Sequence, residues 1–299
     1  MTRFCFLNHF SAKAVSSTTA YLFVATMSST CRLCGAATTN RFKKTILGKH
    51  LVEFQECTEC DSMQTEEPFW LDESYADGRR YLDINAASRA LIWQRLIYGL
   101  HRAFEMKSDA RLLDWGAGDG LLVRLLRDIG IDARYNDPLA VNQYANGFEA
   151  DFDDKPFEIV SAFEVWEHLS NPSEELQIAL SQQPQIYIAS TEIYRQQDES
   201  WTYLNLMTGR HVFFYSEKAV RYIANKYGYD YYIAKGKRVM LYKPIFSKKQ
   251  VVSAKRVLDD RRARLNAVWF AMARKGSLAA KDRQEINKRV KKTIELDGN

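Results

Sequence analysis

The chain has 299 residues, and its hydrophobic and charged fractions of 46% and 26% are typical of a globular protein rather than a disordered or fibrous one. Its net charge of +5 is unevenly spread, because residues 248–299 hold 15 Lys and Arg against 6 Asp and Glu and leave the rest mildly acidic. No stretch reaches the roughly 18–20 apolar residues of a transmembrane helix, so no membrane span is predicted.

The first 28 residues contain no acidic residue and are rich in Ser, Thr and Ala. They hold only one Arg and one Lys, which is too few for a transit peptide, and the apolar run at 21–27 is too short for a signal peptide. We predict that residues 1–28 are a disordered extension and that the protein is cytoplasmic.

Four of the five cysteines form two pairs with C-x2-C spacing, and 22 residues separate the pairs. These cysteines are Cys31, Cys34, Cys57 and Cys60. Two such pairs are typical of a structural zinc site with four thiolate ligands. Disulfides are the alternative, but they need an oxidising compartment, and the sequence has no credible export signal. Residues 46–54 between the pairs alternate like a strand, as in a zinc ribbon.

Residues 111–128 read RLLDWGAGDGLLVRLLRD. The apolar run at Arg111–Trp115 predicts a buried strand, the glycines a tight turn, and the following leucines a helix. Ligands bind at the carboxyl end of such a strand. A dinucleotide-binding turn has the order G-x-G-x-x-G, whereas here the third glycine comes one position early and Leu121 takes its place. Asp114 places a carboxylate at the strand end, which repels a phosphate and suits an ammonium group.

The pattern D-x-G-x-G-x-G from Asp114 to Gly120 resembles motif I of the class I S-adenosylmethionine (SAM) methyltransferases. Residues 131–136 predict the second strand, and Asp137 follows it, 23 residues past Asp114. An acidic side chain there is placed to accept hydrogen bonds from ribose hydroxyls. The alternative is a turn aspartate before proline.

Residues 84–106 have the apolar spacing of a helix that packs on the sheet before its first strand. Tyr75 and Tyr81 in the preceding linker are candidates for the cofactor pocket, with core packing or surface exposure as the alternative.

Residues 147–154, GFEADFDD, predict a short third strand that ends in carboxylates. Asp151, with Phe152 beside it, is the candidate to contact the adenine, and Asp153 and Asp154 compete for that role.

Residues 157–162, FEIVSA, predict a buried strand, and the chain continues as FEVWEHLSNP. A strand followed by E-V-x-E-H-L and a proline resembles the fourth-strand motif of small-molecule class I methyltransferases, including those of quinone biosynthesis and sugar methylation. The resemblance implies that Glu164 lies beside the transferable methyl group, with Glu167 and His168 at the mouth of the pocket.

A helix at 173–180 is predicted to start at Pro172, and residues 185–190 predict a fifth strand. The segment 192–215 is aromatic, polar and irregular, which is typical of a substrate-facing insertion rather than of a core element.

Ser216 is predicted to cap a helix at 217–226 that Gly228 ends. Strands at 229–234 and 238–243 follow, which gives the antiparallel end of a seven-stranded methyltransferase sheet.

The phrase GRHVFFYS at 209–216 resembles a segment of methyltransferases encoded with bacterial glycan genes. These include sugar C-methyltransferases with a four-cysteine zinc module. The resemblance spans residues 31–245 and ends there, because those enzymes continue into a further folded domain that this sequence does not have.

The basic tail is helical by composition, and Val251, Leu258, Leu265 and Met272 fall seven residues apart. This spacing predicts one helix of a pair. A charge run of this kind is usually a solvated face, with an anionic partner as the alternative.

We predict an α/β fold with a Rossmann-like seven-stranded class I methyltransferase sheet, an N-terminal zinc-ribbon module and a C-terminal helical tail. The predicted units are the extension at 1–28, the zinc ribbon at 29–66, the methyltransferase domain at 67–246 and the basic helical tail at 247–299.

The predicted cofactors are SAM and structural Zn²⁺. The cofactor-binding candidates are Asp114, Gly116, Ala117, Gly118, Asp137, Asp151, Phe163 and Glu164. The catalytic candidates are His168, His211 and Glu167. Histidine is the natural base at neutral pH, and for either histidine a satisfied, noncatalytic imidazole is the alternative.

The leading hypothesis is a SAM-dependent methyltransferase that acts on a small molecule, and the favoured acceptor class is a nucleotide-linked sugar or glycan. An RNA methyltransferase that uses the zinc ribbon and the basic tail is the alternative. A SAM-fold scaffold without activity is a third. The acceptor, the choice of carbon or oxygen methylation and the oligomeric state stay open.

Overall fold

The computed structural model describes residues 29–76 and 85–259, together with the single positions 278, 281 and 284. The predicted extension at 1–28, Tyr81, and the seam residues Leu265 and Met272 lie outside the described residues.

The described elements form two sheets with helices around them. In chain order the strands are β1 (Thr38–Ile46), β2 (His50–Cys57), β3 (Met63–Thr65), β4 (Arg111–Trp115), β5 (Asp132–Asn136), β6 (Ile159–Phe163), β7 (Ile186–Ser190), β8 (Phe213–Phe214), β9 (Asp230–Ala234) and β10 (Arg238–Tyr242). The helices are α1 (Leu71–Ala76), α2 (Ala86–Ala103), α3 (Leu121–Asp128), α4 (Pro172–Ser181), α5 (Glu217–Tyr227) and α6 (Lys248–Asp259).

The central sheet has the strand order β5-β4-β6-β7-β10-β9. Its first four strands are parallel, and β10 runs antiparallel to both of its neighbours, which is the predicted antiparallel end. The inner parallel strands β4, β6 and β7 lie where the sequence places them because they are apolar runs covered on both faces, whereas the edge strands β5 and β9 are partly exposed. This mostly parallel sheet confirms the predicted Rossmann-like α/β class.

The predicted third strand is reduced to one bridge between Tyr135 and Glu149. Tyr135 donates its N–H to Phe148 O at 2.8 Å and accepts from Ala150 N at 2.7 Å. Residues 151–156 are exposed, so no buried face extends the pairing, and the seventh position of the sheet holds a bridge rather than a strand.

The second sheet is antiparallel and has the order β1-β2-β3-β8. Its last strand comes from the segment 192–215, through the pairs Met63–Phe214 and Gln64–Phe213. The four-cysteine segment therefore shares a sheet with a distant part of the chain. The strand predicted at 46–54 is confirmed from residue 50 onward as β2 and is wrong at its start, because Leu47 and Gly48 have φ of +56° and +75° and form the turn between β1 and β2.

The segment 192–215 has a larger part in the core than its irregular sequence predicts. Tyr194, Leu204, Val212, Phe213 and Phe214 are all at most 2% exposed. Their aromatic and aliphatic side chains cover the second sheet, which explains why a segment with little secondary structure is so rich in aromatic residues.

Helix α6 begins the basic tail and packs against α2. Ala254 and Leu258 are fully buried, and Val257 lies so close to Gly99 that a Cβ there would be 2.7 Å from Val257 Cγ1. The start of the tail is thus an apolar helix partner, as the spacing of Val251 and Leu258 indicates. None of the described helices is long and apolar enough to cross a membrane.

Candidate functional site

The glycine turn after β4 has one packed position and one open position. Gly116, Gly118 and Gly120 have φ of +74°, +60° and +86°, values that strain any side chain with a Cβ. A Cβ on Gly116 would be 2.5 Å from Val165 Cγ2, whereas one on Gly118 would meet no heavy atom within 4 Å. Val165 therefore packs against the turn at Gly116, and the turn leaves space for a ligand at Gly118.

Asp114 ends β4 as a buried carboxyl group, 3% exposed. Its Oδ1 accepts a hydrogen bond from Ser161 Oγ at 2.7 Å. Burial raises the pKa of Asp114 to about 7, with a further contribution from the charge of Asp137. A cationic group bound beside Asp114 reverses that shift, so this carboxyl suits the ammonium or sulfonium of SAM.

Asp137 directly follows β5 and links that strand to the glycine turn by a hydrogen bond. Its Oδ2 accepts from Gly118 N at 2.9 Å, and its Oδ1 accepts from Leu139 N and Ala140 N, both at 2.8 Å. It is thus a turn aspartate. A carboxylate has about four lone-pair positions, so one remains for a ribose hydroxyl. The ribose role of Asp137 stays a prediction.

The other predicted cofactor contacts line the same edge of the sheet. Ala117 is half-buried and donates its N–H to Asn136 O at 3.1 Å. Phe163 stacks on Trp93 with ring centroids 4.3 Å apart and planes 2° from parallel. Asp151 is exposed and accepts from Asp153 N at 3.0 Å, and its adenine role stays a prediction.

Glu164 follows β6 in a backbone conformation that is unusual for its residue type. Its φ is +57°, in the left-handed region that costs a residue with a side chain roughly 1–2 kcal/mol. Ser190 Oγ accepts from Glu164 N at 2.8 Å and donates to Glu164 Oε1 at 2.5 Å. The serine at the end of β7 therefore holds both the backbone and the carboxylate. Such strain is often found at functional sites.

Glu167 is a fully buried carboxyl group. Neither of its oxygens has a hydrogen-bond partner among the described residues. Burial raises the pKa of Glu167 to about 8, the charge of Glu164 adds to the rise, and the hydroxyls of Tyr203 and Thr191 oppose it. A buried polar group without a partner costs free energy and needs an explanation.

His168 and His211 lie together, with ring centroids 5.0 Å apart in an edge-to-face arrangement. His168 Nδ1 is 2.9 Å from Arg210 O, and His211 Nδ1 is 2.6 Å from Tyr203 O. A carbonyl only accepts, so Nδ1 carries the proton in both rings and Nε2 has the free lone pair. Burial lowers the pKa of His168 to about 4 and that of His211 to about 3, so both rings are neutral at pH 7.

The fold brings the three catalytic candidates into one cluster. One ligand atom from each of Glu167, His168 and His211 lies within 4.8 Å of the others. We call these three residues the Glu-His-His cluster.

Several neighbours of the Glu-His-His cluster were not predicted from the sequence. They are Ser190, Thr191, Tyr203 and Arg210. Ser190 ends β7 and Thr191 follows it, and the convergence of parallel strands at their carboxyl ends was the available signal. No local pattern distinguishes Tyr203 or Arg210.

Tyr75, a candidate for the pocket, packs against a neighbour of the cluster. Its ring lies under the Arg210 guanidinium at 4.9 Å, and Arg210 O accepts from His168 Nδ1. Burial raises the pKa of Tyr75, and the charge of Arg210 opposes the rise. The pocket role of Tyr75 stays a prediction.

The four cysteines of the C-x2-C pairs also form one cluster, with all sulfurs within 4.8 Å. Sγ of Cys31 and Cys60 are 3.7 Å apart, and those of Cys34 and Cys57 are 3.4 Å apart. These separations exclude disulfides, whose sulfurs are about 2.05 Å apart. Tetrahedral Zn²⁺ with bonds of about 2.3 Å places its sulfurs about 3.8 Å apart, so the donor set fits zinc.

Backbone N–H groups support the second pair, as in a zinc knuckle. Glu59 N and Cys60 N each lie 3.4 Å from Cys57 Sγ. Such contacts stabilise a thiolate.

Residues 89–232 match the family described as "Methyltransferase domain". No curated protein matches the chain. Among solved structures, the magnesium protoporphyrin IX methyltransferase of Synechocystis PCC 6803 with bound SAH shares 14% identity, with 57% of this chain and 92% of that chain covered and a TM-score of 0.38. The plantazolicin methyltransferase BpumL with SAH shares 12%, covering 65% and 87%, with a TM-score of 0.41.

A 1,6-didemethyltoxoflavin-N1-methyltransferase of Burkholderia thailandensis shares 15% identity, with 57% of this chain and 83% of that chain covered and a TM-score of 0.40. Scores and identities this low transfer no substrate to this chain. The family match covers the glycine turn, β4 to β7 and the Glu-His-His cluster. Residues 89–232 are thus similar to the methyltransferase-domain family, and their mostly parallel sheet has the Rossmann-like α/β topology predicted for them.

Proposed function

We propose that this protein is a SAM-dependent methyltransferase whose acceptor is a small molecule, with a nucleotide-linked sugar or glycan as the favoured class. The observation that carries the proposal is the buried Asp114 carboxyl at the end of β4, beside the open position at Gly118. A buried carboxyl is costly unless a cation pairs with it, and SAM carries two cationic groups.

The residues divide into those that position the cofactor and those that face the acceptor. The bound SAM supplies an electrophilic methyl group on a sulfonium. Asp114 pairs with the ammonium group of SAM, and the turn at Gly118 leaves room for the amino-acid part of SAM. Asp137 offers its remaining lone pair to the ribose. Phe163, stacked on Trp93, and the carboxylate of Glu164 complete the edge of the sheet at the methyl group.

We assign proton removal from the acceptor to Nε2 of His168, with His211 as the second candidate. SAM, when bound, would supply the methyl group and leave as a neutral thioether, so the task left to this chain's own residues is to take up the acceptor proton. The acceptor proton passes to the imidazole, which the carbonyl at Nδ1 holds in the right tautomer. Proximity of about 3 Å between nucleophile and methyl carbon supplies much of the rate.

Isothermal titration of the pure protein with S-adenosylhomocysteine tests cofactor binding, and one site per chain is the expected result. No heat of binding, with the protein folded by circular dichroism, contradicts the proposal. SAM turnover is then screened over nucleotide sugars, with RNA as the competing acceptor. Preference for RNA replaces the small-molecule assignment and leaves the cofactor assignment standing.

The base is tested by His168→Gln and His211→Gln, with His50→Gln as the matched control. His50 begins β2, its Nε2 lies 3.1 Å from Glu73 Oε2, and it is not a member of the Glu-His-His cluster. Loss of one base lowers turnover by about 10²–10⁴-fold without weakening cofactor binding. Turnover that is unchanged in both cluster variants removes histidine from the mechanism.

A further inference from the structure

We propose that Glu167, His168 and His211 bind one divalent transition-metal ion, through the glutamate carboxylate and the two imidazole Nε2 atoms. The site is separate from the four-cysteine site, and its ligands come from the segment after β6 and from the loop before β8. Nothing in the pattern of the sequence brings the two histidines together, since 42 residues separate them along the chain.

The separation of the ligand atoms suits a single ion. One carboxylate oxygen of Glu167 and one ring nitrogen of each histidine lie within 4.8 Å of one another. With bonds of about 2.0–2.2 Å, neighbouring ligand atoms around one ion are roughly 3–3.5 Å apart. Closing the cluster on an ion therefore needs a movement of at most about 1–2 Å, which side-chain rotation supplies.

Both imidazoles have the orientation of metal ligands. A metal-binding histidine commonly donates its other N–H to a backbone carbonyl or a carboxylate, which fixes the tautomer. Here Arg210 O and Tyr203 O accept from the Nδ1 atoms, at 2.9 and 2.6 Å. His211 Nε2 is 3.4 Å from Asn205 Nδ2, a long contact that an ion displaces.

The Glu167 carboxyl supplies the independent observation. It is 0% exposed, and among the described residues no group meets hydrogen-bond geometry at either oxygen, although the hydroxyls of Tyr203 and Thr191 come near enough to lower its pKa. No Lys or Arg among the described residues is one of the charges that shift that pKa. A cation is the partner that satisfies a buried carboxylate without a cationic side chain.

Two imidazoles and one carboxylate favour Mn²⁺, Fe²⁺, Co²⁺ or Zn²⁺ over Mg²⁺ and Ca²⁺, which prefer oxygen ligands. Three protein ligands leave positions open for water or for an oxygen of the acceptor. The link to the acceptor rests on the proposed function, whereas the metal site does not. An occupied Nε2 lone pair cannot accept a proton, so the metal site and the histidine base exclude each other, and metal binding through Nε2 replaces the base assignment of the proposed function.

Mn²⁺ is the probe, because it prefers nitrogen and oxygen ligands and leaves thiolates loaded with zinc in place. Protein that carries a single equivalent of zinc, held by the four thiolates, is titrated with Mn²⁺, and free Mn²⁺ is followed by electron paramagnetic resonance. We expect one site, an affinity at least tenfold lower in Glu167→Gln, His168→Gln and His211→Gln, and an unchanged affinity in His50→Gln.

Binding that is absent, or equally strong in all four variants, overturns the proposal. Pulsed spectra of the wild-type complex give a second readout that needs no variant, because coordinated imidazole adds nitrogen modulation to the Mn²⁺ echo. Bound Mn²⁺ without nitrogen modulation also overturns it. Titration of the same samples with S-adenosylhomocysteine separates the outcomes, since cofactor binding without Mn²⁺ binding contradicts the metal site alone.

Discussion

The four-cysteine cluster and the Glu-His-His cluster each bring their ligand atoms within 4.8 Å of one another, and yet the chain assembles them in different ways. The sulfurs come from two short knuckles, each with its ligands three residues apart. The Glu-His-His cluster joins the end of β6 to a loop more than 40 residues later. A site built from local turns is therefore visible in the sequence, and a site built by the sheet is visible only once the sheet is formed.

The two clusters are also mechanically connected. Thr65 N, at the end of β3, donates to Val212 O at 3.0 Å, and Arg32 Nη2 donates to the same oxygen at 2.7 Å. Val212 N in turn donates to Glu167 O at 2.8 Å. His211 is adjacent to Val212, so the four-cysteine segment fixes the backbone that carries this histidine.

The largest expected effect follows from Cys60→Ser. Structural zinc sites contribute on the order of 10 kcal/mol to the folding of small modules, so loss of a ligand lowers stability by several kcal/mol. The variant should lose zinc by mass spectrometry, melt at a lower temperature, and lose Mn²⁺ binding at the Glu-His-His cluster. Cys5→Ser, which changes a cysteine outside the described residues, is the control.

If Cys60→Ser keeps both its zinc and its melting temperature, the four-thiolate assignment is wrong. If it loses zinc but still binds Mn²⁺ as the wild type does, the connection through Val212 is wrong and the zinc site stands.

Asp114→Asn should have the next largest effect, a loss of cofactor affinity at the glycine turn that leaves the Glu-His-His cluster unchanged. The amide keeps the shape of the side chain but removes the charge that pairs with the ammonium, which costs roughly 100-fold in affinity, or about 2.7 kcal/mol. Calorimetry with S-adenosylhomocysteine measures the loss, and Mn²⁺ binding should be unchanged. Asp128→Asn, which loses a surface pair with Arg124, is the control.

An affinity within a factor of three of the wild type in Asp114→Asn removes the ammonium contact. A loss of Mn²⁺ binding in the same variant shows instead that the two halves of the site are coupled.

The sequence predicts the glycine turn and the cysteine pairs well because each depends on spacing within a few residues. The two ends of α5 were equally predictable from the sequence, since Ser216 caps the first turn of the helix and Gly228 ends the helix with φ of +71°. The pairing of β3 with β8 was not predictable, because a two-residue strand carries no periodicity. Phe213 and Phe214 are buried because of that pairing. The sequence alone therefore does not distinguish them from the aromatic residues of a solvent-facing loop.

Ser216→Ala tests a single side chain that serves both regions. Ser216 Oγ accepts from Ala219 N at 3.0 Å and donates to Cys60 O. Loss of the cap and of the partner for a buried carbonyl lowers the free energy of unfolding by about 2 kcal/mol in total. Urea unfolding measures the change, and Ser181→Ala, at the exposed end of α4, is the control. Equal stability of the two variants contradicts the double role of Ser216.

The smallest effect is a pH dependence that belongs to Asp114 and leaves the zinc-loaded cysteine cluster unchanged. The raised pKa of about 7 means that the carboxyl is mostly protonated at pH 6 and ionised at pH 8. A cationic ligand pairs with the ionised form, so binding at pH 6 must release a proton. The affinity for S-adenosylhomocysteine should therefore rise about tenfold from pH 6 to pH 8.

Calorimetry in buffers of different ionisation enthalpy counts that proton directly. We expect nearly one proton released per site at pH 6, almost none at pH 8, and none at either pH in Asp114→Asn. If Asp114→Asn still releases a proton on binding, the titrating group is a different one. Glu167 is the first candidate, because burial also raises its pKa. A proton count that then falls on adding Mn²⁺ places the titrating group in the Glu-His-His cluster rather than at the glycine turn.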